Sequence, residues 1–307
     1  MSGPGRLRFA VAEAVARHRL WANGDRVAVA VSGGLDSVCL LDLLQQTAGM
    51  HGGALSVVTV DHGTRPGSAE DADFVEALCA ERGVPCTRID LALGRDASEA
   101  GCRAGRFLAF EALDTEVVAL AHQRDDQAET VLVNLLRGTG PLGLEGMAWR
   151  RGHYVRPLLD TPRAALSAWA TWRGLAWRED PTNASDRFLR NRLRREVLPL
   201  LEDLRPGATT ALARAATVAA EQGALLDALL ERRPETQPSP KGWATGWVAR
   251  ASAALVRRAL HHHLAPVTTA QVAAVIDAAR RGHGEVDLGG GRRVRITRRR
   301  VRLDDRD

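Results

Sequence analysis

RVAVAVSGGLDS, residues 26–37, joins an alternating apolar run to a glycine-rich turn. An apolar helical pattern follows at once through Val38, Leu40, Leu41, Leu43 and Leu44. A buried strand that passes through glycines into a helix N-terminus is an anion cradle. The glycines permit positive φ and close backbone approach, the freed amides point at phosphate, and the helix dipole adds its positive end. Ser32 and Ser37 can add hydroxyl donors, and Asp36 can hold a metal against the phosphates. Two commoner phosphate loops are excluded. The Walker-type GxxxxGKS/T loop needs a lysine, and the only one in the chain is Lys241; the GxGxxG fingerprint does not follow this strand.

Outward from this stretch, strand-like runs recur at 55–61, 86–91 and 117–122. Helical patterns separate them at about 35–47, 68–82, 98–113 and 123–137. Strict alternation predicts an α/β fold, a Rossmann-like doubly wound parallel sheet with right-handed crossovers. Ligands of such sheets sit beyond the carboxyl ends of the strands. Three polar groups fall there: Ser32 to Ser37, Asp61-His62, and His122 onward. From about 150 the chain becomes a mainly helical, basic extension, and Pro206-Gly207 reads as a boundary. The expected organisation is therefore a catalytic domain over 1–205 and a small α+β domain over 206–307. The latter would hold helices at 208–232, 248–264 and 268–281 and strands at 284–288, 292–297 and 299–303.

At 307 residues with 45% apolar and 26% charged content, the chain can bury two cores. It has no uninterrupted apolar run of the roughly 20 residues a membrane helix needs, and no signal-like block at its start, so the expectation is a cytoplasmic protein without membrane contact. The cysteines at 39, 79, 86 and 102 form no CxxC pair and read as small buried hydrophobes. His261-His262-His263 is no metal cluster by itself, because consecutive helical residues point about 100° apart. Charge is divided unevenly: residues 1–150 carry 14 Arg against 20 acids, residues 151–307 carry 28 Lys and Arg against 17 acids. A basic half suits a polyanion; an acidic half suits metal or ammonium chemistry.

A second constellation lies in AHQRDDQAETVLVNLLRGTG, residues 121–140. On a helix, His122, Asp126 and Glu129 stand at i, i+4 and i+7 and share one face, with Asp125 beside them. Crowded carboxylates want a cation, whether Mg²⁺ or a substrate ammonium; the plainer alternative is a solvated helix start whose acids complement the dipole. Arg103 and Arg106 share a helix face and suit phosphate or a surface ion-pair network equally. Arg187, Arg190, Asn191 and Arg194 cluster by helix geometry and form the candidate surface for a polyanion's phosphates, which the resemblance given below makes those of a tRNA. Trp169, Trp172 and Trp177 are expected to pack.

SGGLDS, VDHGTR (60–65), AHQRDDQAET, RGTGPLGLEGM (137–147), RPLL (156–159) and REDPTNASDRFLRNRLR (178–194) resemble, in this order, the motifs of the tRNA(Ile)-lysidine synthase family. That family is a branch of the PP-loop, or N-type, ATP pyrophosphatases, and the resemblance spans about residues 26–200. It implies that ATP adenylates O2 of the wobble cytidine in a CAU-anticodon tRNA(Ile). Free L-lysine then attacks C2, and AMP and pyrophosphate leave. It implies ATP binding by Ser32, Gly33, Gly34, Leu35, Asp36, Ser37, Asp61, His62 and Arg106, with Mg²⁺ on Asp36. Asp36, His122, Asp125, Asp126 and Glu129 would carry the chemistry. The substrate amine, with a pKa of about 10.4, needs a carboxylate to bind it and a base to take its proton; which residue does which is left open. The chain departs from the family at Thr64, Phe107, Gln123 and Pro141, and a homodimer is compatible with the sequence. Rival expectations are a tRNA thiolase, an amide-forming ligase, and a non-catalytic ATP-dependent RNA-binding module.

Overall fold

The computed structural model describes residues 3–64, 67–94, 97–179, 189–232, 242–264, 267–289 and 291–305. The first sheet contains β1 (Arg26–Ala30), β2 (Ala54–Asp61), β3 (Cys86–Asp90), β4 (Val117–Ala119), β5 (Arg150–Arg151) and β6 (Tyr154–Val155). Their order is β3-β2-β1-β4-β6-β5, parallel throughout except for the β5–β6 pair. The strands form because β-branched residues alternate with small ones: Val27 and Val29 point to one face, Ala28 to the other, and all are buried. On the first face Val27 and Val29 pack with Leu40, Leu41, Leu44, Leu166 and Trp169. On the second, Ala28 joins Val58, Phe110 and Val118. Each fully buried aliphatic side chain contributes roughly 1.5–3 kcal/mol. Helices cover both faces, as the alternating pattern predicts.

Chain order fixes where a ligand belongs. The strands run outward from β1 through β2 to β3 on one side, while β4 pairs with β1 on the other. The direction of winding reverses between β1 and β4, and such a reversal opens a crevice at the strands' carboxyl ends. The Leu35–Gln46, Ser68–Arg82, Glu99–Glu111 and Arg124–Leu136 helices start within two residues of the positions expected from sequence.

Three of the helices around this sheet are tied by one buried carboxylate. Asp42, fully shielded from solvent, accepts hydrogen bonds from Trp169 Nε1 (2.9 Å), Arg82 Nη1 (2.8 Å) and Arg173 Nε (3.2 Å). Burial pushes its pKa up, but the Arg173 and Arg82 guanidiniums outweigh that and hold it below the usual value. Of the tryptophans, Trp169 is buried and Trp177 packs on the core, whereas Trp172 is 58% exposed.

By their internal contacts the residues form two compact units, one of Met1–Gln127 with Ala148–Thr210, the other of Ala128–Met147 with Ala211–Asp307. The second contains an antiparallel sheet of β7 (Trp243–Ala244), β8 (Gly284–Gly289), β9 (Arg292–Ile296) and β10 (Arg300–Asp305), ordered β7-β10-β9-β8. Val248, Val256, Val275, Val294 and Val301 are its core. The helix expected over 248–264 is instead two, Thr245–Arg250 and Ala253–Leu264. Ala251 is extended, and Ser252 Oγ accepts the Leu255 amide (3.4 Å), so a serine cap restarts the helix. In the same unit Arg258 pairs with both Glu145 and Asp227, and His262 Nε2 lies 2.6 Å from Asp227 Oδ1. Among the described residues no helix is long and apolar enough to cross a membrane.

Candidate active site

At the end of β1 the loop from Ser32 to Gly34 is held from within. The Ser32 amide donates to Ser37 Oγ (3.2 Å), and Ser37 Oγ donates to the Gly34 carbonyl (2.8 Å). Gly33 sits at φ +81°, a conformation that calls for glycine, and a Cβ there would also press on Phe74 Cδ1 at 3.3 Å. The Gly33 carbonyl accepts the Arg178 amide (2.9 Å), whose side chain is tied to Asp71 (2.6 Å) and Glu70 (3.2 Å). Gly34 precedes the Leu35–Gln46 helix without a side-chain cap, which leaves first-turn amides for a ligand. Leu35 itself is buried in the core and Ser32 is exposed.

Asp36 stands in the first turn. One oxygen, Oδ2, lies 3.4 Å from Arg163 Nη1; the other, Oδ1, is buried and has no hydrogen-bond partner. Burial lifts its pKa to about 6, with Arg163 and Arg194 pulling down and Asp126 and Asp125 pushing up. Those four charges belong to other segments, so the loop and the acidic segment act on one another.

At the end of β2, Asp61 accepts the Gly63 amide (2.8 Å) and lies 3.4 Å from Arg88 Nη2. Burial raises its pKa, yet hydrogen bonds from Ser68 and Gly63 together with the Arg88 charge hold it below the ordinary value. His62 is pushed down by burial and then by Arg106, and its Nδ1 has no partner.

Beyond β4 the geometry differs from the helical spacing expected for the third group. The helix spans Arg124–Leu136, so His122 lies in the loop before it rather than on a face shared with Asp126 and Glu129. The reason is Gln123, fully buried, which ends the loop with reciprocal hydrogen bonds. Its amide donates to Asp126 Oδ2 (3.0 Å), and its Oε1 accepts the Asp125 amide (2.6 Å). Asp126 also accepts from Arg194 Nη2 (2.7 Å), and burial raises its pKa more than Arg194 lowers it. Asp125 Oδ1 accepts the Arg163 amide (3.3 Å), and Glu129 is buried one turn further along the helix. His122 is held uncharged: burial first, then Arg156, Arg106, Arg103 and Arg190, push it down to about 3, and its Nδ1 is partnerless.

Of the candidate tRNA residues, Arg190 and Asn191 lie in the Leu189–Arg192 helix and Arg194 in the π-helical turn Leu193–Val197. Arg187 lies outside the described residues. The chemistry of the site also involves four residues that spacing did not single out. Arg163 reaches Asp36, Arg156 lies buried near His122, Gln123 stops the loop, and Arg178 braces Gly33. Gln123 left a signal as a departure from the resembled motif, and Arg156 and Arg178 as the first residues of RPLL and REDPTNASDRFLRNRLR; Arg163 left none.

With the geometry in place, comparison with known proteins is direct. The PP-loop domain family matches residues 9–201. A tRNA(Ile)-lysidine synthase of Thermobifida fusca is 37% identical over 313 residues, covering 96% of this chain and 97% of the relative. The chain belongs to the tRNA(Ile)-lysidine synthase family. A Deinococcus radiodurans member is 42% identical over 239 residues, which are 74% of this chain but 40% of that protein. The chain therefore spans less than half the length of that relative, though nearly all of the first. Among solved structures, a U34-tRNA thiolase from Methanococcus maripaludis superposes with a TM-score of 0.58 at 20% identity, covering 70% of this chain and 78% of that one. At that identity the likeness is one of fold.

Proposed function

We propose that this protein is an ATP-dependent ligase that forms lysidine. It joins free L-lysine to C2 of the wobble cytidine in a CAU-anticodon tRNA(Ile), through an adenylated base, and releases AMP and pyrophosphate in the cytoplasm. The observation that carries the reading is the convergence at one rim. Asp36 of the phosphate loop stands in the field of Asp125 and Asp126, which follow the neighbouring strand β4. Family membership supplies the reaction class.

On this reading the amides and hydroxyls of Ser32 to Ser37 take the pyrophosphate part of ATP, with Asp61 and His62 at the adjoining strand end and Arg106 of the Glu99–Glu111 helix. The partnerless, buried Oδ1 of Asp36 fits a divalent cation. Mg²⁺ would be held there by this carboxylate together with substrate phosphates. Such an ion, when bound, would stabilise charge gathering on the phosphates. The lysine ammonium is held by Asp125, Asp126 and Glu129. Its proton goes to one of these carboxylates, because His122, with its pKa pushed down to about 3, is too weak a base, whereas burial raises the pKa of Asp126. His122 serves instead as a neutral hydrogen-bonding group. Arg187, Arg190 and Asn191, with the domain over 206–307, contact the tRNA.

The test supplies ATP, Mg²⁺, labelled lysine and a CAU-anticodon tRNA transcript, and label is expected in the RNA. Incorporation of labelled sulfur instead would make the protein a thiolase. Pyrophosphate release without RNA would favour an amide ligase, and no turnover with any tRNA would leave a binding module.

A further inference from the structure

We infer that Arg163 is a positioning residue that occupies Asp36 while the phosphate loop is empty and turns to the triphosphate when nucleotide enters. The inference rests on the ATP-dependent reading above. One residue here touches both constellations: the Arg163 amide donates to Asp125 Oδ1 (3.3 Å), and its Nη1 lies 3.4 Å from Asp36 Oδ2. It opens the Arg163–Arg173 helix, so its backbone is a fixed pivot and its side chain the movable part.

The contact to Asp36 is a loose one. A single donor at 3.4 Å is at the long limit for a charged hydrogen bond, and the side chain is 44% exposed. Among the described residues the guanidinium makes no other hydrogen bond, so the rest of its fork remains free for phosphate oxygens, the geometry it matches best. Asp36 meanwhile keeps its Oδ1 buried and unpartnered. The other charges bearing on it are Asp125 and Asp126 of the acidic segment and Arg194. A divalent cation arriving alone must settle beside a guanidinium already in place, which opposes it. A cation arriving with a triphosphate brings the negative charge to which Arg163 can transfer. The arrangement makes cation binding conditional on nucleotide.

Because a prop and a guard differ in sign, the effect can be read without turnover. Binding of Mn²⁺ to the nucleotide-free full chain is followed by electron paramagnetic resonance, and binding of a fluorescent ATP analogue with Mg²⁺ by anisotropy. In Arg163→Ala, Mn²⁺ should bind about tenfold more tightly while the analogue binds about tenfold more weakly, with Arg163→Lys between. Asp36→Asn should abolish the Mn²⁺ gain. Loss of both affinities together, or no change in either, overturns the inference and leaves the ATP reading intact. A wild-type chain that binds no ATP analogue overturns both.

Discussion

Asp36 carries a buried carboxylate whose pKa is about 6 rather than its ordinary 3.8. The folded state thus holds the proton more tightly than the unfolded one, so this group's contribution to stability falls as pH rises from about 4 to 6 and stays low above. Asp36→Asn removes the charge that burial penalises. The variant should be more stable at pH 7.5, on the order of 1–2 kcal/mol, while product formation drops at least about a hundredfold. Thermal melts at pH 7.5 and 4.5 check the first part, since the gain should shrink to about a third at the lower pH. At this scale the sequence was informative about residue type and poor about orientation. Asp36 and the glycines beside it are legible because a strand, a turn and a helix start leave few conformations. His122 was misplaced because helical spacing was extended past Gln123, whose side chain ends the loop by hydrogen bonds that no periodicity reveals.

The helices around the first sheet depend on Asp42 as a shared acceptor for Trp169, Arg82 and Arg173. Asp42→Ala leaves two guanidiniums and an indole N–H without their buried partner and should cost about 3–5 kcal/mol. Urea unfolding followed by tryptophan fluorescence would show it as a lower midpoint. Since the native pKa is depressed, the wild-type contribution is present above the unfolded value and is lost as pH falls through the native one. In the second unit, a Cβ at Gly223 would collide with Glu145 Oε1 and fall 2.9 Å from Arg258 Nη1. Gly223→Val should split that ion pair and lower the melting temperature of that unit, measurable by calorimetry. Elements of this kind were only half legible. Their spans follow from apolar spacing, but the carboxylate that ties them is hidden, because a buried Asp inside LLDLL looks like the exposed face of an ordinary helix.

Over the whole chain, 42 basic residues against 37 acids make a modest excess, concentrated in the second half. Two arginines of the candidate surface both stand near the acidic segment, Arg190 acting on His122 and Asp126 and Arg194 on Asp126. Arg194 is bound to Asp126 at 2.7 Å, so Arg194→Ala should lower turnover and leave the salt dependence of tRNA affinity unchanged. Arg190→Ala should instead raise the tRNA KM and reduce the slope of log affinity against log salt by about one. Filter binding between low and moderate KCl distinguishes them, and equal slopes for both variants would place the polyanion surface elsewhere. The charge asymmetry was readable in composition; the ion pair of Arg194 with Asp126 required the fold.

The grouping of residues 128–147 with 211–307 has a practical corollary for anyone cutting the gene. Glu145 finds Arg258, Gly140 lies against Thr269, and Val131 and Val133 are shielded from water. A polypeptide stopped near Pro206 would retain the nucleotide loop intact but strand this insertion without its companions. Supplying the C-terminal fragment in trans is then the natural way to recover a soluble, complementing pair.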